Sequence, residues 1–359
     1  MSSSLYEESS ITIPEVTDID SIFLNRLTVL YGESGTGKTS LILHVLKNLK
    51  QHIPVAVVAN PTNKLNNNYS GIFPEQAIHD EISKDVLIKL FKRQIKSMHL
   101  YNLINDMSIL DPIFTKCASP RDKEKIQILI QTLTNHKNKI RQKYTEFESE
   151  KHISNIQSLH NKKVTDIMRM VINDNSAKLL ADPCFTDKQN LVIRNILFNP
   201  NILLLLDDCA STVKEWKDLT ETRKLFFEGR HYHTTVLITM HNETLIPPPL
   251  RNNAHINIFT AETAVTTYFR KDACGISAAQ KKNISKIAKS VFEDSGDKKK
   301  PNFKKLCYFS PVINVDTRIQ YILARPTKFK FGSEPFRALC NQLKKNEVDD
   351  SEALVNYFK

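Results

Sequence analysis

Residues 27–40 read Leu-Thr-Val-Leu-Tyr-Gly-Glu-Ser-Gly-Thr-Gly-Lys-Thr-Ser, LTVLYGESGTGKTS, and set Gly32, Gly35 and Gly37 within six positions of a 359-residue chain that has only 8 glycines. Globular chains average about 7% glycine, so this crowding has a local cause. The stretch fits G-x-x-x-x-G-K-[ST] at every fixed position, with a strand-prone run (27–31) before it and the helix-spaced TSLILHVLKNLK (39–50) after it. In that setting glycine lets the backbone wrap a phosphate chain with its N–H groups turned inward, aided by the positive end of the following helix. The expected nucleotide-binding residues are therefore Gly32, Glu33, Ser34, Gly35, Thr36, Gly37, Lys38, Thr39 and Ser40. Lys38 is expected to neutralise the β- and γ-phosphates of ATP, and the Thr39 hydroxyl to ligate Mg²⁺.

Working outward, PVAVVA (54–59) reads as a second buried strand, which closes a βαβ unit and implies a parallel sheet covered by helices. NILLLLDD (201–208) is a buried strand whose C-terminal end delivers two carboxylates, and ligands of open α/β sheets bind at that end. Asp207 is expected to hold Mg²⁺ through its water shell and Asp208 to polarise an attacking water. TTVLITMHN (234–242) has the form of the strand that hydrolytic P-loop ATPases insert between the phosphate-loop strand and the acidic strand, with His241 or Asn242 as γ-phosphate sensor. Arg230 in FFEGRHYH (226–233) and Arg251 in PPPLRNN (247–253) are two candidates for a finger that reaches a neighbouring subunit's γ-phosphate. An ordinary surface or ion-pair arginine is the alternative for each. His231, His233 and Cys209 make no tetrahedral set of four.

Charge is uneven. Residues 84–172 carry 17 Lys+Arg against 9 Asp+Glu and residues 281–330 carry 13 against 4, while the rest of the chain is net negative, which leaves +11 overall. Two basic zones on a mildly acidic body suit a polyanion such as nucleic acid, although lysine-rich helices are also common as solvated faces. The six cysteines lie far apart with no CxxC pair, which argues against zinc and a disulfide framework and fits a reducing compartment. No run of about 18 apolar residues indicates a membrane span, and MSSSLYEESS does not have the form of a secretion signal.

The expected organisation is a lead-in (1–26), a P-loop ATPase core (27–75 and 183–265), a basic helical insertion (76–182), and a basic, partly helical C-terminal region (266–359) partly packed on the core. Residues 293–305 (EDSGDKKKPNFKK) read as a mobile segment. The expected fold class is α/β, a P-loop NTPase with a RecA-like, mainly parallel sheet of the additional-strand type.

Together, LYGESGTGKTS, ILLLLDDCA, FFEGRHYHTTVLITMHN and IPPPLRNNAHINIF resemble the genome-packaging ATPases of nucleocytoplasmic large DNA viruses, the poxvirus-type branch of the FtsK–HerA superfamily. YFRKDACGISAAQKKNISKIAKSVF followed by KKLCYF is similar to that family's tail, and the resemblance covers residues 20–75 and 185–310. It implies an ATP-driven, multimeric motor that moves double-stranded viral DNA into a capsid. It also implies a homo-oligomeric ring with an intersubunit arginine finger, contact with a capsid or portal protein, and a place in the host cytoplasm at the virus factory and in the virion. Carried over by position, Lys38 and Thr39 bind nucleotide and Mg²⁺, Asp207 and Asp208 form the acidic pair, His241 is the sensor and Arg230 the finger candidate. His241 and Asp208 stand where wider members of the superfamily often carry Gln and Glu. A helicase or protein-remodelling ATPase, and a nucleotide-regulated binding module, are the alternative readings.

Overall fold

The apolar runs become strands because parallel strands covered on both faces have no solvent side on which to alternate. The computed structural model describes residues 13–216, 218–241, 248–270, 277–293, 303–325 and 327–345. Its strands are β1 (Leu27–Tyr31), β2 (Val55–Ala59), β3 (Ile78–His79), β4 (Ile202–Leu206), β5 (Thr234–Met240), β6 (Ile256–Phe259), β7 (Lys304–Phe309) and β8 (Ile319–Leu323). They form one sheet in the order β3-β2-β4-β5-β1-β6-β7-β8, parallel up to β6 and antiparallel at β7 and β8. β5 lies between β1 and β4, with Leu27 opposite Val236 and Ile202 opposite Thr234. This is the additional-strand arrangement of an α/β P-loop NTPase.

Every residue of β1, β2, β4, β5 and β6 is buried. Alternate residues feed two cores. Ile202, Leu204 and Leu206 pack with Val29, Val57 and Ile238 on one face, while Leu203 and Leu205 pack with Leu41, Val45 and Leu49 of the helix Lys38–Leu49 on the other.

The chain divides into two compact units, one formed by residues up to 94 with those from 201 onward, the other by 95–200. These limits differ from the expected 76–182 for physical reasons. Val58 and Ala59 of β2 pair with β3, and Val86, Leu87, Leu90 and Phe91 at the start of the helix Lys84–Leu103 belong to the sheet's core. At the other limit Phe185, Val192, Ile193 and Ile196 pack with Ile113, Phe114 and Ile172 in the core of the second unit. That unit is helical. Its longest helices, Pro120–Lys143 and Glu146–Asp174, are joined by two residues, and the first begins with a capping box between Ser119 and Asp122. Leu133 is the buried residue of Pro120–Lys143, and Ile128 and Ile130 are exposed.

The C-terminal region departs most from expectation. Lys304 and Lys305, read as the end of a mobile segment, open β7, while residues 294–302 lie outside the described residues. β7 and β8 carry the sheet on, with Phe259 opposite Leu306 and Leu306 opposite Tyr321. β8 is partly exposed in alternation, as suits an edge. Among the described residues no helix is long and apolar enough to cross a membrane.

Leu204 is fully buried whereas Leu65 is 82% exposed. Leu204→Ala should lower unfolding stability by about 2–5 kcal/mol in chemical denaturation, and Leu65→Ala should change it by no more than about 0.5 kcal/mol.

Candidate nucleotide-binding site

The loop after β1 turns at Gly35 and Gly37, both in the left-handed region (φ 78° and 88°), and Gly37 caps the helix Lys38–Leu49 without a side-chain hydrogen bond. Gly32 is demanded by contact. A Cβ there would fall 1.8 Å from Oγ1 of Thr260 and 2.9 Å from Oγ1 of Thr36. Those two hydroxyls lie 2.6 Å apart, and Thr36 also donates to the Glu33 carbonyl at 2.7 Å. The Gly32 N–H donates to the Met240 carbonyl at 3.1 Å, which ties the loop to β5. Glu33, Ser34 and Gly35 form an exposed tip, with Thr39 and Ser40 half-buried behind it.

Lys38 is buried and folds back over the loop, donating to the carbonyls of Gly32 at 2.7 Å and Glu33 at 2.8 Å. Burial pulls its ammonium below the ordinary lysine value, against the opposing pull of Asp208, Asp207 and Glu33. The lysine and the acidic pair therefore share one field.

Asp207 is 5% exposed and held by three donors from three parts of the chain. Thr239 of β5 donates to Oδ1 at 2.7 Å, while Oδ2 accepts from Tyr69 Oη at 2.7 Å and Asn60 Nδ2 at 3.0 Å. Asn60 is fixed in turn, its Oδ1 accepting from the backbone N–H and hydroxyl of Thr62. Burial pushes the Asp207 carboxyl above its ordinary value; the Thr239 and Tyr69 hydroxyls oppose that, Asp208 adds to it, and Lys38 opposes it. Tyr69 is fully buried, and burial beside Asp207 drives its phenol well above the usual range. It acts here as a donor.

Asp208 has φ 62°, a left-handed conformation that Asp tolerates better than most residues. Its N–H donates to Thr239 Oγ1 at 2.9 Å, so one threonine hydroxyl positions both acids. His241, just past β5, contacts Asp208 Oδ1 through Nε2. The expected sensor and the expected second acid thus form a pair, each partly exposed. Asn242 lies outside the described residues.

The arginines lie elsewhere. Arg230 sits in the turn Gly229–Tyr232 that leads into β5, at the N-terminal edge of the parallel strands, where its charge and that of Arg26 act on His255. β5 is seven residues long, roughly 20 Å at the usual rise, so Arg230 is far from the phosphate loop of its own chain. Burial, then Arg26 and Arg230, bring His255 down to about 4, and its neutral Nδ1 accepts from the Leu27 N–H. Arg251 is 2% exposed, with its guanidinium 5.5 Å from the centre of the Tyr268 ring. This gives Arg251 a partner within its own chain.

The donor set fits a polyphosphate carrying Mg²⁺. Mg²⁺ keeps most of its waters and takes one or two carboxylates plus phosphate oxygens, and Asp207 with the Thr39 hydroxyl supplies that much. Among the described residues no group of three His, Cys, Asp or Glu is arranged to hold a metal by protein ligands alone. Cys209 donates to the carbonyls of Ala59 and Asp207, with its thiol pushed up to about 12 by burial and then by the neighbouring acids. His233 contacts Asn201.

Asn60, Tyr69, Thr239 and Thr260 were not singled out in the sequence. Asn60 and Thr239 left a trace there, as polar residues at the end of PVAVVA and inside TTVLITM. Tyr69 and Thr260 left none.

The chain is similar over nearly its whole length to proteins of large DNA viruses. It is 27% identical over 351 residues to protein B354L of African swine fever virus (isolate Warthog/Namibia/Wart80/1980), covering 94% of this chain and 93% of that protein. With protein L437 of Acanthamoeba polyphaga mimivirus it shares 21% identity over 325 residues, 89% of this chain and 80% of the other. Among solved structures it is similar to the genome packaging NTPase B204 from Sulfolobus turreted icosahedral virus 2 in complex with ATP-gammaS, at 12% identity, 84% and 98% coverage and a TM-score of 0.36. No family model matches the chain.

Asp207 binds its proton more tightly folded than unfolded, so its stability contribution is full below the ordinary carboxylate value and is lost as pH rises through its folded value. Asp207→Asn should therefore melt higher than the parent at pH 7 without nucleotide, with the gap closing towards about pH 4 in differential scanning calorimetry. A lower melting temperature for the variant at pH 7 would contradict this.

Proposed function

We propose that this chain is an ATP-hydrolysing motor that translocates double-stranded DNA into a viral capsid, working as a homo-oligomeric ring with Mg²⁺. The observation that carries the reading is the shared anchoring of Asp207 and Asp208 by Thr239, with Asp208 joined to His241 beside a complete phosphate loop. That arrangement suits attack by water, because a carboxylate stands free of the deeper acid and has its own orienting partner.

In this reading the loop from Gly32 to Ser40 binds the phosphates of ATP, and Lys38 exchanges its loop carbonyls for phosphate oxygens. Thr39 and Asp207 hold Mg²⁺, which neutralises charge on the phosphoryl oxygens when bound. Asp208 orients the water and receives its proton, and His241 positions Asp208. A cavity of about 630 Å³ opens at Ser40 and Leu43, bounded by Ser70, Ile72 and Phe329, in the size range of small-ligand sites. It suits the nucleoside end. Arg230 acts on the site of the next subunit, since its own site lies a strand's length away; Arg251 has its partner inside the chain. The resemblance read from the motifs, together with relatives that are proteins of large DNA viruses, supports the packaging role. Contact with a capsid or portal protein and a place at the virus factory and in the virion belong to the same reading. The helical unit 95–200, with its many exposed lysines, is assigned to DNA.

ATP hydrolysis by the assembled protein should rise with duplex DNA. Lys38→Ala should abolish both binding and hydrolysis. Asp208→Asn should keep nucleotide affinity and lose hydrolysis by about 10²-fold or more. Strand displacement, or stimulation by protein rather than DNA, would favour the helicase or remodelling alternative. Very slow hydrolysis by a monomer would favour a nucleotide-regulated module.

On the helix Pro120–Lys143, replacing Lys137, Lys139, Arg141 and Lys143 by Gln should weaken duplex binding. It should also flatten the dependence of log affinity on log salt by up to about one unit for each phosphate no longer neutralised, as measured by fluorescence anisotropy. An unchanged slope would remove this helix from the DNA surface.

A further inference from the structure

Lys305 enters β7 at the same edge of the sheet as the phosphate loop. β7 runs antiparallel to β6, and Lys305 stands one step beyond the Phe259–Leu306 pair, next to Thr260, whose hydroxyl meets Thr36. The residue as a whole is 6% exposed, and its side chain turns towards the loop. It reaches Gly37, where a Cβ would lie 3.5 Å from Lys305 Cε and 3.6 Å from Nζ. Among the described residues it has no carboxylate or hydrogen-bond partner. Its neighbour Lys304 behaves as a surface lysine usually does, with its ammonium over the Tyr321 ring.

A buried ammonium without a counter-charge is costly, and burial lowers the proton affinity of Lys305 accordingly. Here it adjoins the N-terminus of a 12-residue helix whose cap, Gly37, offers no side-chain acceptor to the first N–H groups. Two positive features therefore converge on one point without an acid between them. The two lysines approach from opposite sides: Lys38 shares the field of Asp207 and Asp208 on the β4–β5 side, and Lys305 comes from the β6–β7 side.

We propose that Lys305 is a second phosphate-binding cation, which contacts the polyphosphate of a nucleoside di- or triphosphate at Gly37 and makes the hairpin of β7 and β8 part of the nucleotide site. This rests on the reading of residues 32–40 as a nucleotide site. Because Gly37 is at the helix N-terminus, which both ligands use, Lys305 serves ADP and ATP alike.

The test is titration of mant-ADP and mant-ATP with Mg²⁺ into the full chain, Lys305→Met and Lys304→Met, with melting temperatures recorded without nucleotide. Lys305→Met should weaken both ligands by about tenfold or more, while melting at the same temperature as the parent or higher because an uncompensated charge is gone. Lys304→Met should bind as the parent does. Parent-like affinity in a folded Lys305→Met would overturn the proposal. If that variant does not fold, hydrogen exchange of the parent decides: slower exchange over Lys304–Phe309 on adding ADP supports the contact, and unchanged exchange refutes it. Failure of the parent itself to bind either nucleotide would instead overturn the nucleotide site on which the proposal rests.

Discussion

The site depends on satisfying one buried carboxylate. Asp207 ends a strand of five apolar residues, and a charge in that position costs several kcal/mol unless donors meet it. Three do, and each comes from a different segment: Asn60 after β2, Tyr69 from the following loop, and Thr239 from β5. Meeting that need fixes these segments against one another. The same Thr239 hydroxyl receives the Asp208 N–H and holds that residue in its left-handed turn, which aims its carboxylate at His241. The orientation of Asp208 is therefore tied to the same hydroxyl that solvates the deeper acid.

The sheet gives the molecule a chemical polarity. At the C-terminal edge of the parallel strands stand the phosphate loop, the two acids and His241; at the opposite edge stand Arg26, Arg230 and His255. The two edges lie a strand's length apart. The C-terminal hairpin adds to the first edge by running antiparallel, which brings the beginning of β7 to where the parallel strands end.

The strands β1, β2, β4 and β5 were legible because each is a short, largely apolar run buried on both faces. The hairpin was not. KKLCYF (304–309) is brief and begins with two charges, and its burial depends on β6, almost fifty residues earlier in the chain. The limits of the helical unit were also hidden, because the composition of residues 76–94 is that of a charged helix while their apolar side chains complete the core of the sheet.

For the site, the linear chain determined whatever is made by neighbours in sequence: the glycine turn, Lys38 at the start of its helix, and two acids at the end of a buried strand. Backbone freedom and strand burial are local properties, and they can be read locally. Only the tertiary structure decided which groups satisfy those acids, that Arg251 stacks on Tyr268 while Arg230 lies at the far edge, and that Lys305 meets Gly37. The partners in these contacts are separated by between 17 and 268 positions in the chain. Hydrogen bonds and charges act through space, and the strand order that brings them together is set by packing both faces of the sheet at once.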